Sequence, residues 1–320
     1  MHRGSLQYWH HRRAQKRLPR VRHAPINIKE SVPLNMVAYK VGMAHIGMND
    51  DSDSPSKNME ITTACTILEI PHIEMYGIRC YSKDINGYKK ASFEIHHAES
   101  AKKLKRKNVK NDESKLNSIK EKLNEYSNIT ALLVAYPKGL SVDQHRHIRF
   151  ESEIGGSNIE DKFNFASAKL GKELKVNEVF KNGEFIDITA ITKGKGWAGT
   201  IKRFGTARLS HKATQKVRHV GALGAMSPGK VLFTVPQAGQ LGFNYRTETN
   251  KRLLKIGNSS EVQKINPKAG FLNYGNVKND YIIIKGSVGG PVKRLVRIRK
   301  TINRNRKGIK EPKINYTSIE

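Results

Sequence analysis

Between Ile188 and Thr247 the chain has no aspartate or glutamate, over sixty consecutive residues. A folded surface normally mixes both signs of charge for solubility, so a stretch this long with one sign marks a surface built for a polyanion. Cysteine is nearly absent too. Cys65 and Cys80 stand alone, with no CxxC pair, which excludes a disulfide framework and leaves two small apolar side chains in a reducing compartment. No run of about eighteen apolar residues exists, so no membrane-spanning helix is expected. The basic N-terminus lacks the apolar segment of a secretory signal. A transit peptide is disfavoured because Ser5 is the only serine in residues 1–29 and Pro19 and Pro25 interrupt any long helix there.

The charge that is present is unevenly placed. The net charge is +30. Residues 1–29 contribute +8 with no acid, residues 30–187 balance 23 basic against 23 acidic side chains, and residues 188–320 contribute +22. A neutral globular part therefore carries basic extensions. An alkaline enzyme would spread its excess more evenly, and this distribution is the footprint of a nucleic-acid-bound protein. In the acid-free stretch ten Lys/Arg are interleaved with nine glycines, whose backbone can bend and approach a partner closely. It reads as a basic finger that becomes ordered in nucleic acid.

Residues 1–29 are too poor in apolar side chains to fold alone, but they offer Tyr8 and Trp9 for stacking. Met36–Met48 (MVAYKVGMAHIGM) reads as a strand bent at Gly42, residues 50–58 as a polar hairpin loop, and Ile61–Ile70 and Met75–Tyr81 as the next strands. Short strands separated by turns suggest a small barrel or sandwich. An α/β stretch follows: helices at Glu113–Tyr126 and Asn158–Leu170, and strands at Thr130–Tyr136 and Arg146–Ile154. Leu174–Phe180, Glu184–Ile191, Arg252–Ile256 and Asp280–Lys285 read as strands, and the last dozen residues as a tail. Val292–Ile298 (VKRLVRI) alternates apolar and basic, so it predicts a strand with one face in a core and one toward an anion.

The motifs for other chemistries fail on context. Gly194-Lys195-Gly196-Trp197-Ala198-Gly199 spells GxGxxG, yet the dinucleotide fingerprint needs an apolar helix and an acid about twenty residues on. Here the next acid is Glu248. No GxxxxGK[ST] loop occurs. The pairs His10-His11 and His96-His97 and the near pair His145 and His147 lack cysteine partners at zinc spacing, so no metal is expected. No Ser-His-Asp, Cys-His or paired-carboxylate arrangement stands out, and the finger has no carboxylate to act as a base. Trp197 and Phe204 read equally as core residues or as base-stacking groups.

Several blocks nonetheless resemble one family. RGSL (Arg3–Leu6) with HRRAQKRLPRVR, AYKVGMAH (Ala38–His45), KGKGWAGTIKRFG (Lys193–Gly205), VPQAGQLGFNYRTETNKRLLKIG (Val235–Gly257) and KGSVGGPVKRLVRIR (Lys285–Arg299) are similar, in order, to the large-subunit ribosomal protein family L-three in its archaeal/eukaryotic form. The resemblance implies a mainly β fold with an α/β insertion, a six-stranded translation-protein-type β-barrel with long basic extensions. The division it implies is a basic N-terminal extension (1–35), first barrel strands (36–82), an inserted α/β region (83–173), barrel strands (174–192), the Gly-rich finger (193–250), closing strands (251–300) and a C-terminal tail (301–320). Relatives commonly place a Trp in the fingertip where this chain has Met226, whose thioether fills gaps but cannot stack as an indole does. Thr214 stands where eukaryotic relatives carry a modified His, so that modification is not expected.

The function so implied is that of a structural, non-catalytic constituent of the large ribosomal subunit. It binds rRNA near the 3′ end, nucleates assembly and sends the finger toward the peptidyl transferase centre beside proteins L-fourteen and L-twenty-four-e. The alternative is an RNA-modifying enzyme with substrate-holding arms. A third reading is a DNA-compacting chromosomal protein. The side chains expected on RNA are Arg3, Trp9, Arg12, Arg13, Arg17 and Arg20 in the arm. In the finger they are Lys193, Lys195, Trp197, Lys202, Arg203, Arg208, His211, Lys212, Lys216, Arg218, His219, Met226, Lys230, Gln237 and Arg246. Beyond it they are Lys251, Arg252, Lys293, Arg294, Arg297 and Arg299. No cofactor, metal, catalytic residue, membrane or small-molecule substrate is expected, and the compartment is the cytoplasm.

Overall fold

The β-branched and aromatic runs ITTACTI and YIII both lie in strands, as residues that fit a pleated, half-buried surface should. The structure is a computed structural model and describes residues 5, 11–21, 28–104, 113–213, 216–227, 229–302 and 311–318. In chain order the elements are β1 (Asn35–Asn49), β2 (Glu60–Glu69), β3 (His72–Lys83), β4 (Lys89–His96), α1 (Ala98–Lys103), α2 (Glu113–Glu121), β5 (Asn128–Tyr136), β6 (Ile148–Glu153), α3 (Ile159–Lys169), α4 (Val176–Val179) and β7 (Phe185–Ile191). They continue with β8 (Gly194–Ala198), α5 (Thr200–Phe204), β9 (Gly239–Gly242), β10 (Tyr245–Gly257), β11 (Tyr281–Lys285), β12 (Leu295–Lys300) and β13 (Ile314–Thr317). The fold is mainly β, with several sheets.

Chain contacts define two units. The larger comprises residues 18–190, 247–288 and 292–320, and the smaller residues 1–17, 191–246 and 289–291. In the larger, strands run in the order β12-β7-β10-β11-β2-β1-β13, and β12 pairs with β1 as well. A four-stranded sheet runs β4-β3-β5-β6. Its β3 is the segment grouped by sequence with β1 and β2, and it pairs instead with β4 and β5. One apolar cluster joins both sheets, with Val37, Ile67, Ile188, Ile283 and Val296 from the first and Ile73, Ile78, Leu133 and Phe150 from the second. The β1–β2 hairpin loop is tied by Asp50, whose carboxylate accepts the hydroxyls of Ser52, Ser54 and Ser56 at 2.6–2.8 Å. Those bonds hold its carboxyl far below the usual carboxylate range.

Three expectations are corrected. Leu174–Phe180 is not a strand. Val176–Val179 closes one helical turn through the Phe180 amide on the Val176 carbonyl (2.9 Å), which buries Val176 and Phe180 together at i, i+4. The chain end is not wholly a tail, because β13 pairs antiparallel with β1 from Ile46↔Thr317 to Met48↔Ile314. The third concerns β12. Every side chain from Leu295 to Lys300 is buried, so neither face of this strand turns to an outside anion. It lies between β1 and β7, and its cations meet partners within the protein.

Candidate nucleic-acid interface

The smaller unit has fifteen Lys/Arg, five in its N-terminal piece and ten in its long central piece, and no Asp or Glu. No ion pair can form inside it. Its architecture is built from backbone. β8 and β9 form a short antiparallel ladder with Gly194↔Gly242, Trp197↔Gln240 and Ala198↔Gly239. Gly242 has φ +74, and a Cβ there would lie 2.0 Å from the Lys193 carbonyl oxygen, so only glycine closes this pair. α5 then makes a single turn and stops at Gly205, left-handed at φ 77, whose amide donates to the Ile201 carbonyl (2.9 Å). Its Arg203 donates from Nε to the Gln240 carbonyl (3.1 Å) and from Nη1 to the Gln237 carbonyl (2.8 Å). The two ends of the finger are thereby stapled.

The N-terminal arm is fastened by main-chain groups. Asn244 Nδ2 donates to the Arg12 carbonyl (2.9 Å), the Ala14 amide to the Phe243 carbonyl (2.8 Å) and the Tyr245 hydroxyl to the Lys16 carbonyl (3.4 Å). The side chains of Arg12, Arg13 and Arg17 stay exposed. Above the ladder, the described residues between 206 and 238 form turns, such as the Leu209 amide on the Val217 carbonyl (3.0 Å), and none of their side chains is buried. The segment is thus not held by a core of its own. Large apolar groups point outward with the cations: Trp197 is 80 % exposed, Met226 96 % and Phe233 68 %. A surface of exposed cations, exposed planar groups and closely approachable backbone suits a phosphate-lined partner with stackable bases.

The GxGxxG segment is accounted for by the same ladder. Gly194 and Gly196 lie on an antiparallel strand and Gly199 stands at the N-cap of the five-residue helix that follows, not on a turn of a parallel βαβ unit, which removes the dinucleotide reading. Among the described residues no group of three or more His, Cys, Asp or Glu side chains could hold a metal ion. No helix there is long and apolar enough to cross a membrane.

A sequence model described as "Ribosomal protein L3" matches residues 1–320. The chain belongs to the ribosomal protein L3 family. It is 39% identical over 323 residues to the "Large ribosomal subunit protein uL3" of Methanothermobacter thermautotrophicus, covering 98% of this chain and 95% of the relative. The protein of the same name from Methanococcus aeolicus is 40% identical over 327 residues, covering 99% and 96%. That of Methanobrevibacter smithii is 39% identical over 323 residues, covering 99% and 96%. The family is one of structural proteins and not of enzymes, which sets aside the RNA-modifying alternative.

In this family member the expected RNA-facing residues fall into three groups. Arg12, Arg13, Arg17, Arg20, Lys193, Lys195, Trp197, Lys202, Arg208, His211, Lys212, Lys216, Arg218, His219, Met226, Lys230 and Gln237 are exposed. Arg203, Arg246, Lys251, Lys293 and Arg294 are half-buried, Arg203 as the staple just described, with burial lowering its pKa, and Lys293 beside Asp143 at 3.1 Å. Arg252, Arg297 and Arg299 are buried and serve the protein's interior. Arg252 makes a bidentate pair with Asp51 (2.6 Å from Nη1), and Arg299 pairs with Asp187 at 3.0 Å. Arg297 donates to Asn35 Oδ1 and the Glu151 carbonyl, both at 2.5 Å, and lies over the Phe150 ring. Burial pushes its pKa down to about 10. Arg3, Trp9 and Thr214 lie outside the described residues. The apolar run Val231-Leu232-Phe233 was passed over in the sequence, although an apolar triplet inside an acid-free stretch is itself a signal.

Proposed function

We propose that this protein is a structural constituent of the large ribosomal subunit, in the cytoplasm, and that its smaller unit is an rRNA-binding surface. The observation that carries the proposal is the acid-free unit of fifteen cations, in which no described side chain between 206 and 238 is buried. Such a unit holds no counter-charge of its own and keeps large apolar side chains exposed, and a polyanion packed around it would supply the one and cover the other. The partner we propose is large-subunit rRNA, bound near its 3′ end, with a part in nucleating assembly and a finger directed at the peptidyl transferase centre, a reading that family membership supports. The order β1-β2-β11-β10-β7-β12, with the β12–β1 pairing, supports a closed six-stranded barrel as the platform. Phosphate contacts fix position and carry little sequence code, so RNA shape sets specificity.

The test is sedimentation of cell lysate through a high-salt gradient. Co-migration with the large subunit is expected. A free protein, or one that travels with DNA as a chromosomal protein would, sinks the proposal. Cross-linking within the isolated subunit then checks the neighbours the resemblance implies, L-fourteen and L-twenty-four-e.

A further inference from the structure

We infer that a cleft at the base of the finger is a receptor for one unstacked RNA nucleobase, an inference that rests on the rRNA-binding reading above. The cleft holds about 440 Å³, within the ~300–1,000 Å³ range of sites that enclose a small organic group. His11, Arg203, Phe204, Val231, Phe233 and Gln237 are among the residues that line it. Three features select a base over other occupants.

The first is the wall. Val231 and Phe233 are apolar yet 46 % and 68 % exposed, so this wall offers apolar surface that a flat apolar group would remove from water. The second is Arg203. Its Nε and Nη1 donors are engaged by the Gln240 and Gln237 carbonyls, so the group is not a free fork for phosphate. It sits 5.0 Å from the centroid of the Phe204 ring, which also has the His11 ring 5.6 Å away. Planar groups thus gather at one end of an apolar wall, the arrangement that receives a splayed-out base. The third is charge. The surrounding unit has no acid, so it attracts the sugar-phosphate on either side of that base while the cleft takes the base itself.

The experiment compares the full chain's affinity for a ten-nucleotide oligoadenylate with that for an abasic ribose-phosphate oligomer of the same length. Both carry the same phosphates, and only the first has bases. The wild-type chain is expected to prefer the first by about five- to a hundredfold, the range for one stacked base. Phe204→Leu keeps an apolar side chain but removes the ring, and Phe233→Ser changes a side chain that is 68 % exposed. Each is expected to cut the preference at least about threefold and leave abasic binding unchanged. Lys216→Gln, an exposed finger cation, is expected to weaken both oligomers alike. Equal wild-type binding to both oligomers overturns the inference, as does a preference unchanged in both Phe variants, which would place the stacking elsewhere, at Trp197 for example. Binding to neither oligomer overturns the RNA-binding reading as well.

Discussion

Arg299 on β12 and Asp187 on β7 face each other in register, and the arginine donates to Asp187 Oδ2 from Nε at 3.2 Å and from Nη2 at 3.0 Å. Both are buried, and the Asp187 Oδ1 accepts the Asn250 amide at 2.9 Å. The pair therefore ties three strands in the larger unit. Removing one partner from such a pair leaves an uncompensated buried charge and costs about 3–5 kcal/mol. Asp187→Ala is expected to lower stability by that order in urea unfolding, and Asp187→Leu with Arg299→Met to recover most of it. A loss under about 1 kcal/mol in the single variant would show that water reaches the pair.

The same pair shows where sequence reading stopped. β1 was legible as Met36–Met48 against an observed Asn35–Asn49, and α3 as Asn158–Leu170 against Ile159–Lys169, because periodicity and local caps write these directly. Arg297 and Arg299 were legible as alternating cations, but whether they face rRNA or a carboxylate is set by register with β7, 112 residues away in the Arg299–Asp187 case. Val176–Val179 and Ile314–Thr317 were missed because elements of four residues carry too few repeats for a period. The finger's base was readable from its motif residues. The cleft was not, since it joins His11 to residues about two hundred positions later.

Exposed and buried cations should part company in salt titrations. On an rRNA fragment, each of Lys212→Gln, Lys216→Gln and Arg218→Gln is expected to lower the slope of log K against log salt by roughly 0.7–0.9 per lost phosphate contact. With about six to ten such contacts in all, wild-type affinity should fall ~10³–10⁵-fold between about 50 and 200 mM salt. Arg299→Met should lower stability and leave the slope alone. A shallow wild-type slope would remove phosphate contact as the main source of affinity.

Both thiols should be inert in the native protein. Burial pushes the Cys65 thiol up to about 11 and the Cys80 thiol up to about 12, so thiolate is scarce at neutral pH. Iodoacetamide at pH 7.5 is expected to alkylate neither in the folded chain and both in denaturant, read by mass spectrometry. Labelling of either side chain under native conditions contradicts the buried environment.

Acid should weaken the larger unit partly through Asp51. Hydrogen bonds from Arg252 hold its carboxyl below the usual carboxylate range. A carboxylate whose folded pKa is depressed contributes stability above its unfolded value, near 3.9 for Asp, and that contribution is lost as pH falls through the folded value. Urea midpoints from pH 7 down to about 2.5 should therefore fall less steeply below pH ~4 in Asp51→Asn than in wild type. The variant should start lower at pH 7. Parallel curves would mean that Asp51 does not titrate with unfolding.

The finger should be removable. Gln237 and Gln240 accept from Arg203 on α5, two residues before Gly205, so the two ends of the 206–238 segment lie close and a short glycine linker spans them. None of the described side chains in that segment is buried, so its removal strips no core from the rest. Replacing 206–238 by such a linker is expected to leave the thermal midpoint within a few degrees of wild type. It removes Arg208, Lys212, Lys216, Arg218 and Lys230, so affinity for an rRNA fragment should fall and the salt slope should shrink by up to about 4. A variant that unfolds would place the finger among the structural elements. One that folds and binds with an unchanged slope would transfer RNA binding to the arm and the β8–β9 ladder.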